Sequence, residues 1–538
     1  MIGKVDLEEK ITYQKPKRFF EKSGSVDSAS SYYVPLEKVV NSDNMDMRSM
    51  VELGRYFSIF APRQSGKTTY LNHLCKELQE DPSYVAVILS FQKYKKLSPG
   101  RFYTQVQKKL YFQLIERLTH IGCQKLDMIK SFLDRHDLTD HISFGELFEE
   151  LNRIIVYKKL VIFIDEFDGI PREELENFLS TLRDLYLEYK EVKQKALYSI
   201  GLVGIRDITK LIVGGVSPFN IADQVDLPPF SLKNVRDLYS QYTAETNQPF
   251  TEAAVKKIYV ETAGQPWLVN RLGTILTVDV KPNVTTPIDE NDVEKAINIL
   301  LQEKNDHFDN LYEKAKLYKE TFIEIVFDNV KYKPDDKDQS WLEQYGLIKK
   351  KESKAVVAND IYKKRYIETF FTEASVPDGI SSLQDVSLAG PLNMENSLLD
   401  FSQYIAQIGV QAFYKEKKPY EKTGQFLLTA WLYQYVKGGE GDLRYEVKSG
   451  MGVMDIMLAY RGKKYIIETK VNRQNLIQTL MQGIKQVSTK YLASEFSHEG
   501  YLVVFDTRTP VGDICEPQYH QVGDRQVVSF KIGIGKEK

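Results

Sequence analysis

Cysteine is scarce in this chain of 538 residues: Cys75, Cys123 and Cys515 are the three it has. So few and so scattered, they exclude a disulfide framework and a thiolate zinc site, and they point to a reducing compartment. Long apolar runs are missing too. No stretch reaches the roughly 18 residues of a membrane-spanning helix. The N-terminal Met1-Ile-Gly-Lys-Val-Asp-Leu-Glu-Glu lacks the basic-then-apolar pattern of a leader. The expectation is a soluble, cytoplasmic protein with no membrane partner. Net charge is also small: 72 Lys and Arg against 74 Asp and Glu leave −2. No global basicity advertises nucleic acid, so such contact must come from local patches. What remains is an ordinary globular composition, 42% hydrophobic and 27% charged, over a length that suits three or four domains.

Against that background Ala61-Pro-Arg63-Gln64-Ser65-Gly66-Lys67-Thr68-Thr69 stands out. It follows the strand-like Tyr56–Phe60 and precedes the helix-like Tyr70–Leu78, which is the strand–loop–helix setting of a phosphate-binding loop. Backbone N–H groups of such a loop and of the helix start cradle phosphates. Lys67 is expected on the β/γ oxygens of ATP and the Thr68 hydroxyl on Mg2+. The usual first Gly of the loop is Ala61 here, a residue small enough for that turn. About a hundred residues on, Leu160-Val-Ile-Phe-Ile-Asp165-Glu166 is an apolar run ending in two acids. It suits a central parallel strand whose carboxylates emerge at the ligand-binding sheet edge. Asp165 is the expected outer ligand of Mg2+, and Glu166 the group that orients and deprotonates water.

The alternation of strand and helix patterns predicts an α/β, multidomain chain with a parallel sheet in an ATPase core over 15–228. Candidate strands are Tyr56–Phe60, Tyr84–Ser90, Leu160–Asp165, Tyr198–Val203 and Leu211–Val213. Helical periodicity covers Gly100–Arg135 and Phe144–Tyr157. After Pro228-Pro229, caps at Ser231 and Thr251 open helices of a small lid over 229–300. Residues 301–371 read as a winged-helix-like module whose Lys349-Lys-Lys wing either meets phosphate or is simply solvated. A Ser-, Gly-, Pro- and Asp-rich linker follows at 372–393, and a last domain spans 394–538.

The first half resembles the AAA-like P-loop ATPases related to the STAND and archaeal-type ATPases. Matching stretches are Arg18-Phe-Phe, Tyr32-Tyr-Val-Pro35, Tyr56 through Thr69, Asp165-Glu166, Gly204-Ile-Arg206-Asp207, Ser217-Pro-Phe-Asn-Ile221 and Gly264-Gln-Pro266-Trp-Leu-Val-Asn270. The resemblance implies that the segment around Pro266 and Trp267 closes on the nucleotide and that Tyr33-Val34 lies near the adenine. Arg206 is then either a γ-phosphate sensor or half of a surface salt bridge.

A second constellation is Gly452-Val-Met-Asp455-Ile-Met-Leu-Ala-Tyr460, Arg461-Gly462, then Lys463-Lys-Tyr-Ile-Ile-Glu468-Thr-Lys470. It reads as a β-hairpin turning at Arg461-Gly462. That register sets Asp455 opposite Glu468, about 5 Å apart on one face, with Lys470 two residues along the same strand. Two carboxylates so close repel unless a cation lies between them, and Mg2+ is the natural occupant. Such a metal would activate water on a phosphodiester, with Lys470 orienting the nucleophile or stabilising developing charge.

This arrangement resembles the PD-(D/E)XK nucleases over about Glu395 to Arg508, which implies a restriction-endonuclease-like α/β domain. A helix at Thr423–Tyr435 precedes the hairpin, and Glu421 is placed as an optional first-helix acid. Glu446 comes just before the hairpin, and Gln482 and Gln486 lie on a later helix, Leu476–Leu492. Gln486 to Tyr491 is one residue longer than the related Gln-x-x-x-Tyr pattern. The strand Tyr501–Asp506 completes the sheet. The combined expectation is an ATPase whose nucleotide state controls a Mg2+-dependent nuclease in defence or DNA processing. Its partners would be a nucleic acid, DNA before RNA, and further copies of the chain. The alternative is a nucleotide-dependent signalling or scaffold ATPase with an inactive nuclease-like binding domain. A metabolic kinase is disfavoured, because the lid and C-terminal modules have no place in one.

Overall fold

A computed structural model describes residues 12–155, 157–192, 197–205, 221–327, 330–374, 391–408, 414–415, 418–419, 421–436, 441–449, 452–511, 513 and 516–535. The chain divides into two compact units. One comprises Met1–Lys314, Lys333–Lys349 and Val357–Ile361, and the other Ala315–Tyr332, Lys350–Val356 and Tyr362–Lys538. Among the described residues no helix is long and apolar enough to cross a membrane.

The first unit is built on a five-stranded parallel sheet in the order β2-β3-β4-β1-β5. Its elements are α1 (Met47–Glu52), β1 (Phe57–Phe60), α2 (Lys67–Glu80), β2 (Tyr84–Ser90), α3 (Pro99–His120), α4 (Leu126–Leu133), α5 (His141–Ile154), β3 (Lys159–Asp165), α6 (Leu175–Val192), β4 (Ser199–Gly204) and β5 (Asp223–Val225). The two-residue period of a strand sends alternate side chains to opposite faces. Leu160, Ile162 and Ile164 of β3 join one buried cluster with side chains of α3, α5 and α6. Val161 and Phe163 join the other, with Leu71 and Leu74 of α2. A strand covered on both faces must be apolar throughout, and each such side chain stabilises the fold by roughly 1.5–3 kcal/mol.

Four of the expected strands form within a residue or two, while Leu211–Val213 lies outside the described residues. Strand β5 was not foreseen: three residues, Asp223-Gln-Val225, carry too little pattern. The helical periodicity over Gly100–Arg135 is carried by two helices. The break comes after α3, where Gly122 turns with φ 62° and the Cys123 N–H bonds Leu118 O.

The helical segment after β5, where a lid is expected, holds α7 (Leu232–Thr246), α8 (Glu252–Thr262), α9 (Pro266–Ile275) and α10 (Glu290–Gln302). Ser231 and Thr251 cap α7 and α8 as their sequences suggest, Ser231 through a capping box with Asn234. The N-terminal segment is strapped to α7. Arg18 pairs with Glu245 at 2.7 Å, the Tyr32 hydroxyl donates to Glu245 at 2.9 Å, and Phe20 packs among Tyr32, Tyr239 and Tyr242. Between α8 and α9 the chain turns through Ala263 and Gly264, with φ of 48° and 74°. The Phe230 N–H bonds Gly264 O at 2.8 Å. A Cβ on Gly264 would fall 1.9 Å from Phe230 O.

Farther along come α11 (Asp306–Leu317), α12 (Lys319–Phe327), α13 (Lys337–Gln344), the two-stranded β6 (Ile348–Lys351) and β7 (Lys354–Val357), and α14 (Asp360–Ala374). His307 at the start of α11 is buried against Trp267 with ring centroids 4.3 Å apart. Burial drives its pKa down to about 3, helped by the charge of Arg63.

In the second unit, α15 (Met394–Ile408), a two-residue ladder of β8 (Tyr414–Lys415) and β9 (Lys418–Pro419), and α16 (Glu421–Val436) lead into a six-stranded mixed sheet. Its strands are β10 (Gly441–Ser449), β11 (Gly452–Tyr460), β12 (Lys463–Asn472), β13 (Glu499–Pro510), β14 (Gln518–Val522) and β15 (Arg525–Gly535), ordered β10-β11-β12-β13-β15-β14. The pairings β12–β13 and β13–β15 are parallel and the other three antiparallel. Helix α17 (Leu476–Gln486), a π-helical turn at Val487–Tyr491 and α18 (Leu492–Ser494) lie between β12 and β13 in sequence. Leu480, Ile484, Val487 and Tyr491 pack with Ile466, Leu502 and Val504 of the sheet. On α16, Gly424 comes so close to Phe505 that a Cβ would lie 2.3 Å from its ring.

Two outcomes follow. Gly264→Ala should lower the unfolding midpoint of the first unit by the equivalent of about 2–4 kcal/mol, since strain and a backbone clash coincide. Gly122→Ala, whose Cβ meets nothing within 4 Å, should cost about 1 kcal/mol from its positive φ alone. Equal losses in thermal denaturation would contradict this. For His307 the folded state is neutral while the unfolded chain protonates near 6.5. Stability should therefore fall as the pH drops below that value, by about 1.4 kcal/mol per unit towards pH 3. His307→Phe should remove that component, so its stability relative to wild type should rise steadily from pH 6.5 to 4.5. A pH-independent difference would contradict it.

Candidate functional site

At the C-terminal edge of the first sheet, the loop after β1 and the end of β3 meet. Gly66 takes φ 93°, a left-handed conformation that glycine alone adopts cheaply, and it delivers the chain into α2. Gln64 is also left-handed, at φ 57°. Arg63 and Gln64 are exposed, and Ser65 Oγ donates back to Pro62 O at 2.9 Å. Lys67 is buried, its Nζ donating to Ala61 O at 2.8 Å and to Pro62 O at 2.6 Å. The ammonium thus holds the loop closed over the place where it would meet phosphate. Burial lowers its pKa to about 8, against the nearby charges of Glu166, Asp165 and Asp168. Thr68 Oγ1 donates to Asp165 Oδ2 at 2.5 Å. Thr69 Oγ1 instead accepts from the Val26 N–H at 3.0 Å, tying the N-terminal segment to the loop.

Asp165 ends β3 as a buried residue whose other oxygen accepts from the Glu166 N–H at 2.8 Å. Glu166 sits at φ 52°, an uncommon backbone for a residue with a side chain, of the kind found at functional turns. Its pKa is raised by burial first and by the charge of Asp165 next, while Lys67 and Arg63 oppose the shift. Asp168, which the sequence reading left unassigned, accepts from the Ile205 N–H at 2.5 Å and so joins the ends of β3 and β4. Arg206 follows immediately and lies outside the described residues. The turn at Gly346 also reaches this site: a Cβ there would lie 2.6 Å from the ring of Pro62.

Beside the loop is a cleft lined by Tyr33, Val34, Gly66, Phe230, Pro266 and Asn270 among others. Pro266 is the first residue of α9, and Gln265 before it donates to Gln64 O at 3.2 Å. Loop, N-terminal segment and the helices α7 and α9 therefore share one cavity.

The second candidate site lies in the other unit. Its hairpin turns at Arg461 and Gly462, both with positive φ (47° and 77°), the signature of a two-residue turn. The pairing runs from Tyr460–Lys463 to Ile456–Ile467. Asp455 and Glu468 come next in that register, where the recorded β11–β12 pairing ends. There Asp455 Oδ2 accepts from both the N–H and the hydroxyl of Thr469, at 2.8 and 2.7 Å. The carboxylate takes the place of a backbone acceptor at the fork. Gln425 of α16, buried, fixes the same residue by donating to Asp455 O at 3.1 Å.

Glu468 is only 1% exposed. Lys470 Nζ donates to its Oε1 at 2.5 Å, and its Oε2 is buried without a partner. Burial and the charge of Asp455 push its pKa up to about 7, against the pull of Lys470. Metal binding suits this arrangement: the orphaned oxygen is a ready ligand, and a cation would relieve the acid–acid repulsion. Among the described residues no three His, Cys, Asp or Glu side chains converge on one point, so waters and substrate oxygens would complete a coordination shell.

The side chains of Glu421 and Glu446 lie outside the described residues, and Gln482 is exposed. Gln486 is resolved differently from its spacing. The π-helical turn Val487–Tyr491 absorbs the extra residue, so the Gln486 amide still donates to the Tyr491 hydroxyl. That hydroxyl donates in turn to Val453 O at 2.6 Å, two residues before Asp455. Thr469 and Gln425 were missed as site residues. The place of Thr469 between Glu468 and Lys470 was the only available signal.

The model of an AAA-like domain matches residues 21–369, and that of a domain of unknown function matches residues 393–509. Among solved structures, a Walker-type ATPase of Pyrococcus abyssi is similar at 12% identity over 62% of this chain and 99% of its own, with a TM-score of 0.42. The RuvB Holliday junction branch migration motor of Thermotoga maritima is similar at 14% identity over 62% and 92%, with a TM-score of 0.32. The ORC1 protein of Aeropyrum pernix, solved in complex with DNA, is similar at 12% identity over 62% and 94%, with a TM-score of 0.30. No curated protein matches. The match over residues 21–369 spans more than half of the chain, which therefore belongs to the AAA-like domain family.

Proposed function

We propose that the protein binds and hydrolyses ATP at the Lys67 loop, and that this controls a Mg2+-dependent nuclease site at Asp455, Glu468 and Lys470. Family membership supports the first half. The observation that carries the second is the buried, unpartnered Oε2 of Glu468 beside Asp455, with Lys470 on the same carboxylate.

At the ATPase site, the β/γ phosphates draw Lys67 Nζ away from Ala61 O and Pro62 O. Arg63, Gln64, Ser65, Gly66 and Thr69 supply the surrounding loop, and Arg206 is assigned from the family resemblance as the γ-phosphate sensor. Thr68 and Asp165 would hold Mg2+, which would supply neutralisation of phosphate charge. Glu166 orients the attacking water, and its raised pKa suits it to take that water's proton. The lid around Pro266 closes the cleft.

In the C-terminal domain, read as restriction-endonuclease-like, Asp455 and Glu468 would hold a second Mg2+. Such an ion would supply Lewis-acid activation of the scissile phosphate and of a water beside it. Lys470 stabilises charge on the phosphate, and Thr469 and Gln425 keep Asp455 aimed. The substrate is a nucleic acid, DNA before RNA. The winged-helix-like middle module stands between the two chemistries in the chain. The contact between Gly346 and Pro62 gives it a route to sense the loop, because Pro62 O is released when Lys67 turns to phosphate. Several copies working together in the cytoplasm, in defence or DNA processing, complete this reading.

Lys67→Ala should abolish tight ATP binding in calorimetric titration. Glu166→Gln should keep binding but slow hydrolysis about a hundredfold or more, since it removes a group that acts in the transition state. Unchanged turnover in Glu166→Gln would reject its role with water.

Asp455→Ala and Glu468→Ala should each remove Mg2+-dependent cleavage of nucleic acid and leave ATP hydrolysis intact. Lys470→Ala should lower cleavage yet spare metal binding, because an ammonium is no ligand. Lys67→Ala should alter the cleavage rate from the other unit, as a coupling free energy requires. Cleavage that survives both carboxylate changes would reject the site. A cleavage rate unchanged in Lys67→Ala would reject the coupling alone.

A further inference from the structure

The walls of the cleft beside the loop are mostly apolar, and two of its buried or half-buried polar side chains are committed. Thr69 Oγ1 accepts from Val26 N, and the Tyr32 hydroxyl is engaged by Glu245. Asn270 differs. It is only 5% exposed, and its Nδ2 donates to Pro266 O at 2.9 Å, one turn back along α9. That bond fixes the amide, since the opposite orientation would set oxygen against oxygen. Its Oδ1 is left buried with no hydrogen-bond partner. A buried amide oxygen without a donor is costly, and natural folds keep such groups where a ligand or water completes them.

We infer that Asn270 is the residue that selects the base of the bound nucleotide. The chemistry that satisfies its Oδ1 is a donor on the edge of a flat apolar ring. Adenine offers one as its exocyclic 6-amino group. Guanine and hypoxanthine carry an oxygen at the same carbon, which would set acceptor against acceptor. Purine with hydrogen at that carbon does neither. The order of affinity is therefore adenine, then unsubstituted purine, then hypoxanthine and guanine. One hydrogen bond made or lost in a dry site changes affinity by about tenfold, and an unpaired buried acceptor widens the gap. This rests on the reading above that the cleft takes the nucleoside of the nucleotide held by the Lys67 loop.

The test is the dissociation constants of ATP, inosine triphosphate and purine riboside triphosphate, measured by calorimetry on the full chain and on Asn270→Leu. In the wild type, ATP should bind at least about tenfold more tightly than inosine triphosphate, with purine riboside triphosphate between them. In Asn270→Leu the ATP affinity should fall while that for inosine triphosphate holds or rises, so the ratio collapses. A variant that is merely misfolded would weaken all three alike, and the wild-type order alone then decides. A wild type that does not discriminate, or a ratio unchanged in the variant, overturns the assignment of Asn270 while leaving the nucleotide site in place. Failure of the wild type to bind any of the three overturns the reading of the cleft itself.

Discussion

The hydrogen bond between Thr68 Oγ1 and Asp165 Oδ2 spans 97 residues of sequence and sets the geometry of the first unit. It is possible because β1 and β3 run parallel with only β4 between them, so that the loop after β1 and the acids ending β3 emerge at one sheet edge. Everything nearby serves that meeting. Alternate residues of β3 anchor both faces of the sheet, Gly66 turns the loop into α2, and Asp168 binds the start of the segment after β4. In this state Lys67 lies on the loop's own carbonyls. An anion at the loop would compete with those carbonyls for the ammonium, and moving Lys67 frees Pro62, which the Gly346 turn touches.

The second unit solves a related problem by different means. Two acids are brought together where two antiparallel strands part, and a side chain fills the gap. Asp455 accepts the Thr469 N–H that a strand neighbour would otherwise take, and this fixes its carboxylate beside Glu468. Glu468 gives up solvation, and Lys470 offsets part of that cost. Such a centre is poorly satisfied on its own and improved by a cation, an imbalance expected of binding sites more than of structural cores.

Much of this was legible in the sequence because it rests on short-range rules. The apolar run Leu160–Ile164 announces a doubly covered strand, Ser231 and Thr251 announce helix starts, and Arg461-Gly462 fixes the hairpin register as far as Ile456 and Ile467, next to Asp455 and Glu468. What was not legible depends on tertiary context. The break after α3 looks like continuous helix, because helical periodicity survives on both sides of Gly122. Strand β5 is set by pairing with β1 rather than by its own residues. The π-helical turn that returns Tyr491 to Gln486 has no local sequence signature, so counting residues misjudged that pair. The unpartnered oxygens of Asn270 and Glu468 emerge only once every neighbour is in position.

The central claim is that one chain carries two magnesium sites, one made by Thr68 and Asp165 and one by Asp455 and Glu468. Crystals of the full chain grown with Mn2+ and a non-hydrolysable ATP analogue would test it through anomalous scattering. The account predicts two manganese peaks, one between Thr68 Oγ1 and Asp165 and one between Asp455 and Glu468 Oε2. A peak at the nucleotide with none at the hairpin would contradict it.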